Sequence, residues 1–223
     1  MHNDKEITEI LVSHGANMNE KTYSFGETAL HIAAMHNYKE IVEILISHGA
    51  NINEKTDSGK TTLHIAARYD SKEIAEILIS HGANMNEKDK SGETALHIAA
   101  LYNYKEITEI FVSHGANMNE KTDYGLTALH IAALYNYKEI AEILISHGAN
   151  INEKTDDGLT TLHIAALHNY KEIAEILISH GANINEKNDD GETALHIAAR
   201  YDSKEIAEIL ISHSANMNEK NKN

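Results

Sequence analysis

A strict period governs this chain. Gly26, Gly59, Gly92, Gly125, Gly158 and Gly191 follow one another at 33-residue intervals, as do His31, His64, His97, His130, His163 and His196. One whole unit, from Thr122 to Lys154, reads TDYGLTALHIAALYNYKEIAEILISHGANINEK. Such self-similarity marks an architecture in which neighbouring units cover one another's apolar faces. Six complete units occupy 22–55, 56–88, 89–121, 122–154, 155–187 and 188–220. A half unit, 1–21, precedes them, with Met1-His2-Asn3 matching Met35-His36-Asn37. There is one register slip. His14 to His48 spans 34 residues, because Tyr23-Ser24-Phe25 stands where other units have two residues. The slip falls in an expected surface turn, where insertions are well tolerated. The reading is of a single domain over 1–223.

Each unit holds two helix patterns and a turn. Over Thr127–Tyr135 the apolar set is Ala128, Leu129, Ile131, Ala132, Ala133 and Leu134. Thr127 is placed to cap this helix, its hydroxyl accepting from an N–H near His130. Asn136, which tolerates the left-handed conformation, ends it. A second helix is expected over Lys138–Ser146. Ile140, Ala141, Ile143, Leu144 and Ile145 form its buried side, and Lys138, Glu139 and Glu142 its solvent side. Gly148 supplies a left-handed position after it, with His147 in the last turn. Helices this short are marginal alone, so stacking must stabilise them.

The start Gly-x-Thr-x-Leu-His-x-Ala-Ala, as at Gly92–Ala100, and the end Gly-Ala-Asn-x-Asn, as at Gly115–Asn119, carry a resemblance. Over essentially its whole length the chain resembles an ankyrin-repeat protein. It departs from the pattern in three places. The usual proline after the Thr is replaced by Ala29, Thr62, Ala95, Ala128, Thr161 or Ala194. The usual Gly-His between the helices becomes Asn37-Tyr38 or Asp70-Ser71, and Ser214 replaces the last cap glycine. These changes are expected to weaken caps locally. The resemblance implies an all-α fold, a solenoid of stacked helix-turn-helix units in a curved array with projecting β-hairpin-like loops. It also implies protein binding by the concave face, without catalysis.

Composition narrows the chemistry. With no cysteine there is no disulfide scaffold, thiolate metal site or cysteine nucleophile. A formal charge of −15 repels phosphate backbones, so no nucleic-acid partner is expected. No apolar run approaches the roughly 20 residues of a membrane span. The opening MHNDKEITEI shows no apolar stretch of a secretory signal, so a cytoplasmic location without membrane insertion is expected. Thirteen of the 16 histidines fall into two repeating sets, Leu-His and Ser-His. Equivalent positions on stacked helices lie about 8–10 Å apart, whereas zinc needs each ligand nitrogen at about 2 Å. Structural capping is therefore expected, with no metal and no cofactor. The Thr-x-x-His pairs resemble half a catalytic dyad, but their sixfold recurrence in cap positions argues against an enzyme.

Variation between units is the remaining signal. At the end of the first helix the pairs are Met35-His36, Arg68-Tyr69, Leu101-Tyr102, Leu134-Tyr135, Leu167-His168 and Arg200-Tyr201. In the resembled family these positions face the concave groove. Leu101, Leu134 and Leu167 would stand between Arg68 and Arg200, beside a stripe formed by Tyr69, Tyr102, Tyr135, His168 and Tyr201. Tyr124, Leu126 and Leu159 add apolar surface at the loop tips. An apolar centre with aromatic anchors and a charged margin is the anatomy of a protein–protein site. The plain alternative is that these Leu and Tyr side chains fill gaps between helices. The acidic tips, such as Asp156-Asp157 and Asp189-Asp190, solubilise the turns or steer a basic partner.

The expected function is a non-catalytic protein-interaction module. Its rivals are a structural spacer or self-associating segment, and a regulatory part of a larger protein. The last helix, Lys204–Ser212, keeps Ile206, Ile209, Leu210 and Ile211, and the half unit lacks a first helix. Apolar surface is therefore expected at both ends, from a longer array or for end-to-end self-association.

Overall fold

A computed structural model describes residues 5–219. Among them are thirteen helices and no strand. The chain divides into two compact units, Met1–Asn117 and Met118–Asn223. The first holds α1 (Lys5–Ser13), α2 (Ala29–Met35), α3 (Lys39–Ser47), α4 (Thr62–Arg68), α5 (Lys72–Ser80), α6 (Ala95–Leu101) and α7 (Lys105–Ser113). The second holds α8 (Ala128–Leu134), α9 (Lys138–Ser146), α10 (Thr161–His168), α11 (Lys171–Ser179), α12 (Ala194–Arg200) and α13 (Lys204–Ser212). In each unit first helices pack on first helices and second on second, α4 on α2 and α6, α11 on α9 and α13.

Local chemistry explains the boundaries. α8 starts one residue later and ends one earlier than the apolar pattern suggests. Thr127 is extended (φ −89°, ψ 168°) and Tyr135 is the non-helical C-cap. The following residue takes a left-handed conformation in every repeat: Asn37, Asp70, Asn103, Asn136, Asn169 and Asp202 all have φ between 52° and 57°. α9 has the expected bounds. Ile143, expected in its core, is only half-buried. At about 100° per residue it sits well round from the stripe of Ile140, Ala141, Leu144 and Ile145. Alanine pairs such as Ala132 and Ala133 are fully buried and let first helices approach closely, while Ala199 on α12 is exposed.

The projecting loops are hairpin-like turns rather than strands. In one of them Thr56 N–H donates to Lys60 O (2.9 Å) and Gly59 N–H to Thr56 O (2.9 Å). Successive tips are tied together by single bonds, Asp57 N–H to Phe25 O and Lys90 N–H to Ser58 O, both 3.0 Å. Gly59 is required twice over. Its φ is +82°, and a Cβ there would lie 2.9 Å from Lys90 N.

The polar Asn-x-Asn-Glu-Lys segment is a ladder. Asn51 N–H donates to Asn19 Oδ1 (2.8 Å) and Asn84 N–H to Asn53 Oδ1 (2.9 Å). In the second unit Asn183 N–H donates to Asn152 Oδ1 (2.8 Å). Lysines follow the same step: Lys21–Glu54, Lys55–Glu87 and Lys187–Glu219 are ion pairs of 2.7 Å. These residues are structural, repeat after repeat.

Candidate partner-binding surface

The two histidine sets are caps of opposite kind. In the Leu-His set the ring reaches back to the N-cap threonine. Thr127 N–H donates to His130 Nδ1 (3.1 Å), the Thr127 hydroxyl lies 2.8 Å from the same nitrogen, and His130 N–H donates to the hydroxyl (3.4 Å). His130 thus fills the place that Glu or Gln takes in a capping box. With Nδ1 accepting, Nε2 carries the proton, and it donates to Glu153 O in the next loop (3.1 Å). His64 bridges to Glu93 O (3.0 Å) and His163 to Glu192 O (3.1 Å) in the same way. Burial pushes His130 and His163 down to about 4, with carbonyl bonds opposing it, and lowers His31 and His64. These rings are neutral struts from a first helix to the loop that follows, and those of His64 and His163 reach into the next repeat.

The Ser-His set caps helix C-termini. His147 Nδ1–H donates to Ile143 O (2.9 Å) and His48 Nδ1–H to Ile44 O (2.8 Å). Among the described residues no three His, Cys, Asp or Glu side chains cluster as metal ligands would. Both nitrogens of His64, His130 and His163 are engaged, so their Thr-His pairs present no free base.

The variable positions behave differently. In the first unit Leu101 is half-buried while Tyr69 (47% exposed) and Tyr102 (37%) stand in solvent. Tyr102 stacks on Tyr104 at 5.8 Å, and the Arg68 guanidinium lies 5.4 Å from the Tyr102 ring centre. Arg68 and Tyr69 line a cleft with Phe25, Met35, Lys60 and Ile65.

In the second unit Leu134 is half-buried and Tyr135 (52% exposed) stacks on Tyr137 at 5.6 Å. His168 is exposed and stacks on Tyr170 at 5.3 Å. Leu159, Leu167, Arg200 and Tyr201 line one cleft with Asp157, Asp189, Asp190 and Glu192. Tyr124 is exposed at its tip, and Leu126 is half-buried; neither lines that cleft.

The tyrosines are therefore surface groups, Tyr102 and Tyr135 held by stacking, whereas the leucines are half-buried. The clefts differ in charge. Position 60 is lysine where position 192 is glutamate, and Glu192 pairs with Arg200. Met35, one of the variable first-helix ends, and Phe25 of the insertion were not among the candidate site residues. The Tyr23-Ser24-Phe25 insertion was the available signal: it leaves Tyr23 and Phe25 exposed, with Phe25 on the cleft wall.

Among the described residues no helix is long and apolar enough to cross a membrane. No curated protein matches the sequence. One similar solved structure is the ankyrin repeat domain of Bcl-3, described as a unique member of the IkappaB protein family. The two are 24% identical, with a TM-score of 0.85 over 93% of this chain and 91% of that one. At that identity the likeness speaks for the fold alone. The sequence itself matches the ankyrin-repeat family in three copies, over residues 1–89, 81–155 and 151–221. The capped helix pairs, their stacking within each unit and these matches together make the chain a member of the ankyrin-repeat family, whose fold is in general a protein-interaction module and not an enzyme.

Proposed function

We propose that this chain is a non-catalytic module that binds partner proteins through the face made by its first-helix ends and loop tips. The observation that carries this reading is the exposure of Tyr69, Tyr102, Tyr135 and Tyr201 on an otherwise repeated framework. A tyrosine needed for packing would be buried. These are exposed, and Tyr102 and Tyr135 are oriented by stacking on Tyr104 and Tyr137, which lowers the entropy lost on binding. Tyr and Arg are also the residues that most often anchor interfaces. A cytoplasmic location belongs to the same proposal.

The test is the double change Leu134→Ala with Tyr135→Ala. A partner is first isolated by affinity capture, then titrated against both proteins by calorimetry. The double variant is expected to bind about 30-fold more weakly, equivalent to about 2 kcal/mol. Its stability should fall by less than the roughly 2–5 kcal/mol of a core leucine truncation, since neither side chain is fully buried. Unchanged affinity would place the working surface elsewhere.

A further inference from the structure

Two repeat junctions of this chain share a frame and differ in charge. One joins the second and third complete repeats, the other the fifth and sixth. Leu159, Leu167, Glu192 and Tyr201 of the later junction lie 99 residues, three periods, beyond Lys60, Arg68, Glu93 and Tyr102 of the earlier one. In the first unit the chain fills this place with its own cations. The Arg68 guanidinium lies over the Tyr102 ring, 5.4 Å from its centre, and Lys60 Nζ stands 3.9 Å from an Asp89 oxygen. Both cations also act on the Glu93 carboxyl, whose value burial raises and they lower. In the second unit leucine replaces both cations, at 159 and 167, and the tyrosine stays. Carboxylates enter at the rim: Asp157, Asp189 and Asp190 stand where the first unit has Ser58, Lys90 and Ser91. Glu192, 4% exposed, pairs with Arg200. The resulting cleft holds about 320 Å³, and four carboxylates against one guanidinium leave its lining at −3. Tyr201 is as open to solvent as Tyr135 of the fourth complete repeat, at 54% and 52% exposed.

We propose that this cleft of the second unit binds an arginine side chain of a partner polypeptide. The proposal rests on the reading above, that first-helix ends and loop tips meet a partner, and names the chemistry this part of the face selects. The aspartates alone would mark only a solvated acidic tip. What identifies the ligand is the seat that Arg68 takes on Tyr102 in the first unit, repeated on Tyr201 with leucine in place of the arginine. Three features of the cleft suit a guanidinium brought from outside. Leu159, Leu167 and Ile197 give apolar walls for the methylene stem. The Tyr201 ring gives the flat head the partner that Tyr102 gives Arg68. The rim aspartates complement its charge, and its planar fork matches carboxylates as a lysine ammonium does not. An acidic side chain would be repelled.

The experiment uses the full chain and a short acetylated, amidated peptide of glycine, serine and leucine with one central arginine, followed by amide chemical shifts. Saturable shifts at Leu159, Leu167, Ile197 and Tyr201 are expected, with a dissociation constant on the order of 1 mM that rises several-fold between about 20 and about 200 mM salt. The same peptide with citrulline, which keeps the shape without the charge, should not bind, and with lysine it should bind several-fold more weakly. Asp157→Asn with Asp190→Asn removes two exposed carboxylates at constant side-chain size. It should weaken binding about tenfold while circular dichroism stays unchanged. Leu167→Arg restores the chain's own guanidinium at a position where two repeats already carry arginine, and should abolish binding. No saturable shift up to about 10 mM would overturn the proposal. So would equal binding of the citrulline or lysine peptide, binding that either variant leaves intact, or shifts centred on Tyr102 instead. Failure here is distinct from failure of the reading above, because Leu134 and Tyr135 do not line this cleft. A captured partner that responds to their loss while the arginine peptide does not bind overturns this proposal alone. Peptide binding beside a partner indifferent to that loss does the reverse.

Discussion

The neutral histidine struts make stability fall in mild acid, and the size of the fall follows from the structure. His130 and His163 have ordinary values of 6.5 in the unfolded chain and about 4 in the fold. Between those values the unfolded chain binds more protons than the native one. Their contribution is therefore complete above pH 6.5 and is lost progressively as pH falls towards 4. From pH 7 to pH 5 each histidine loses roughly 2 kcal/mol, and the pair roughly 4 kcal/mol. Protonation has a specific structural consequence: it places a hydrogen on Nδ1, opposite the Thr127 or Thr160 N–H that now donates to it.

The neighbouring carboxylates Glu153 and Glu186 are held below the usual range by Lys121 and Lys154. Their contribution is lost only as pH falls below about 4.5, beneath the window of interest. The matching variant is His130→Gln with His163→Gln. Glutamine can still accept from the N-cap N–H in a capping box and does not titrate. Urea unfolding by circular dichroism at half-unit pH steps should show the wild type losing roughly 4 kcal/mol more than the variant between pH 7 and 5. Parallel stability curves for the two proteins would refute the assignment of neutral, load-sharing rings at these positions.

Two further outcomes follow from packing. Leu144→Ala, fully buried on α9, should cost about 2–5 kcal/mol, while Glu142→Ala on the exposed side should stay within about 0.5 kcal/mol, both read by urea melts. Gly59→Ala combines a left-handed backbone with a clash against the next loop. It should cost distinctly more than Gly115→Ala, where φ is +88° but nothing lies within 4 Å of an added Cβ and about 1 kcal/mol is expected.

Much of this protein is legible in its sequence because its decisive interactions are local or periodic. The 33-residue spacing of Gly26 through Gly191 establishes the repeat, and the run Lys138–Ser146 gives α9 with its true ends. Thr127, Asn136 and Gly148 announce their caps because each acts on backbone within a turn of itself. What the sequence does not carry is what one repeat does to the next. The second bond of His163, to Glu192 O, joins residues 29 apart, and the asparagine bonds join residues about one period apart. No local pattern distinguishes these struts from ordinary polar turn residues. Likewise Leu134 and Tyr135 read as one apolar pair, and only stacking decides that the leucine is half-buried and the tyrosine exposed. Leu11 is the sharpest case. It occupies the same place in its repeat as Leu144, yet one is more than half exposed and the other fully buried. Burial is a property of neighbours: the side chain supplies the apolar area, and only the helix packed against it removes that area from water.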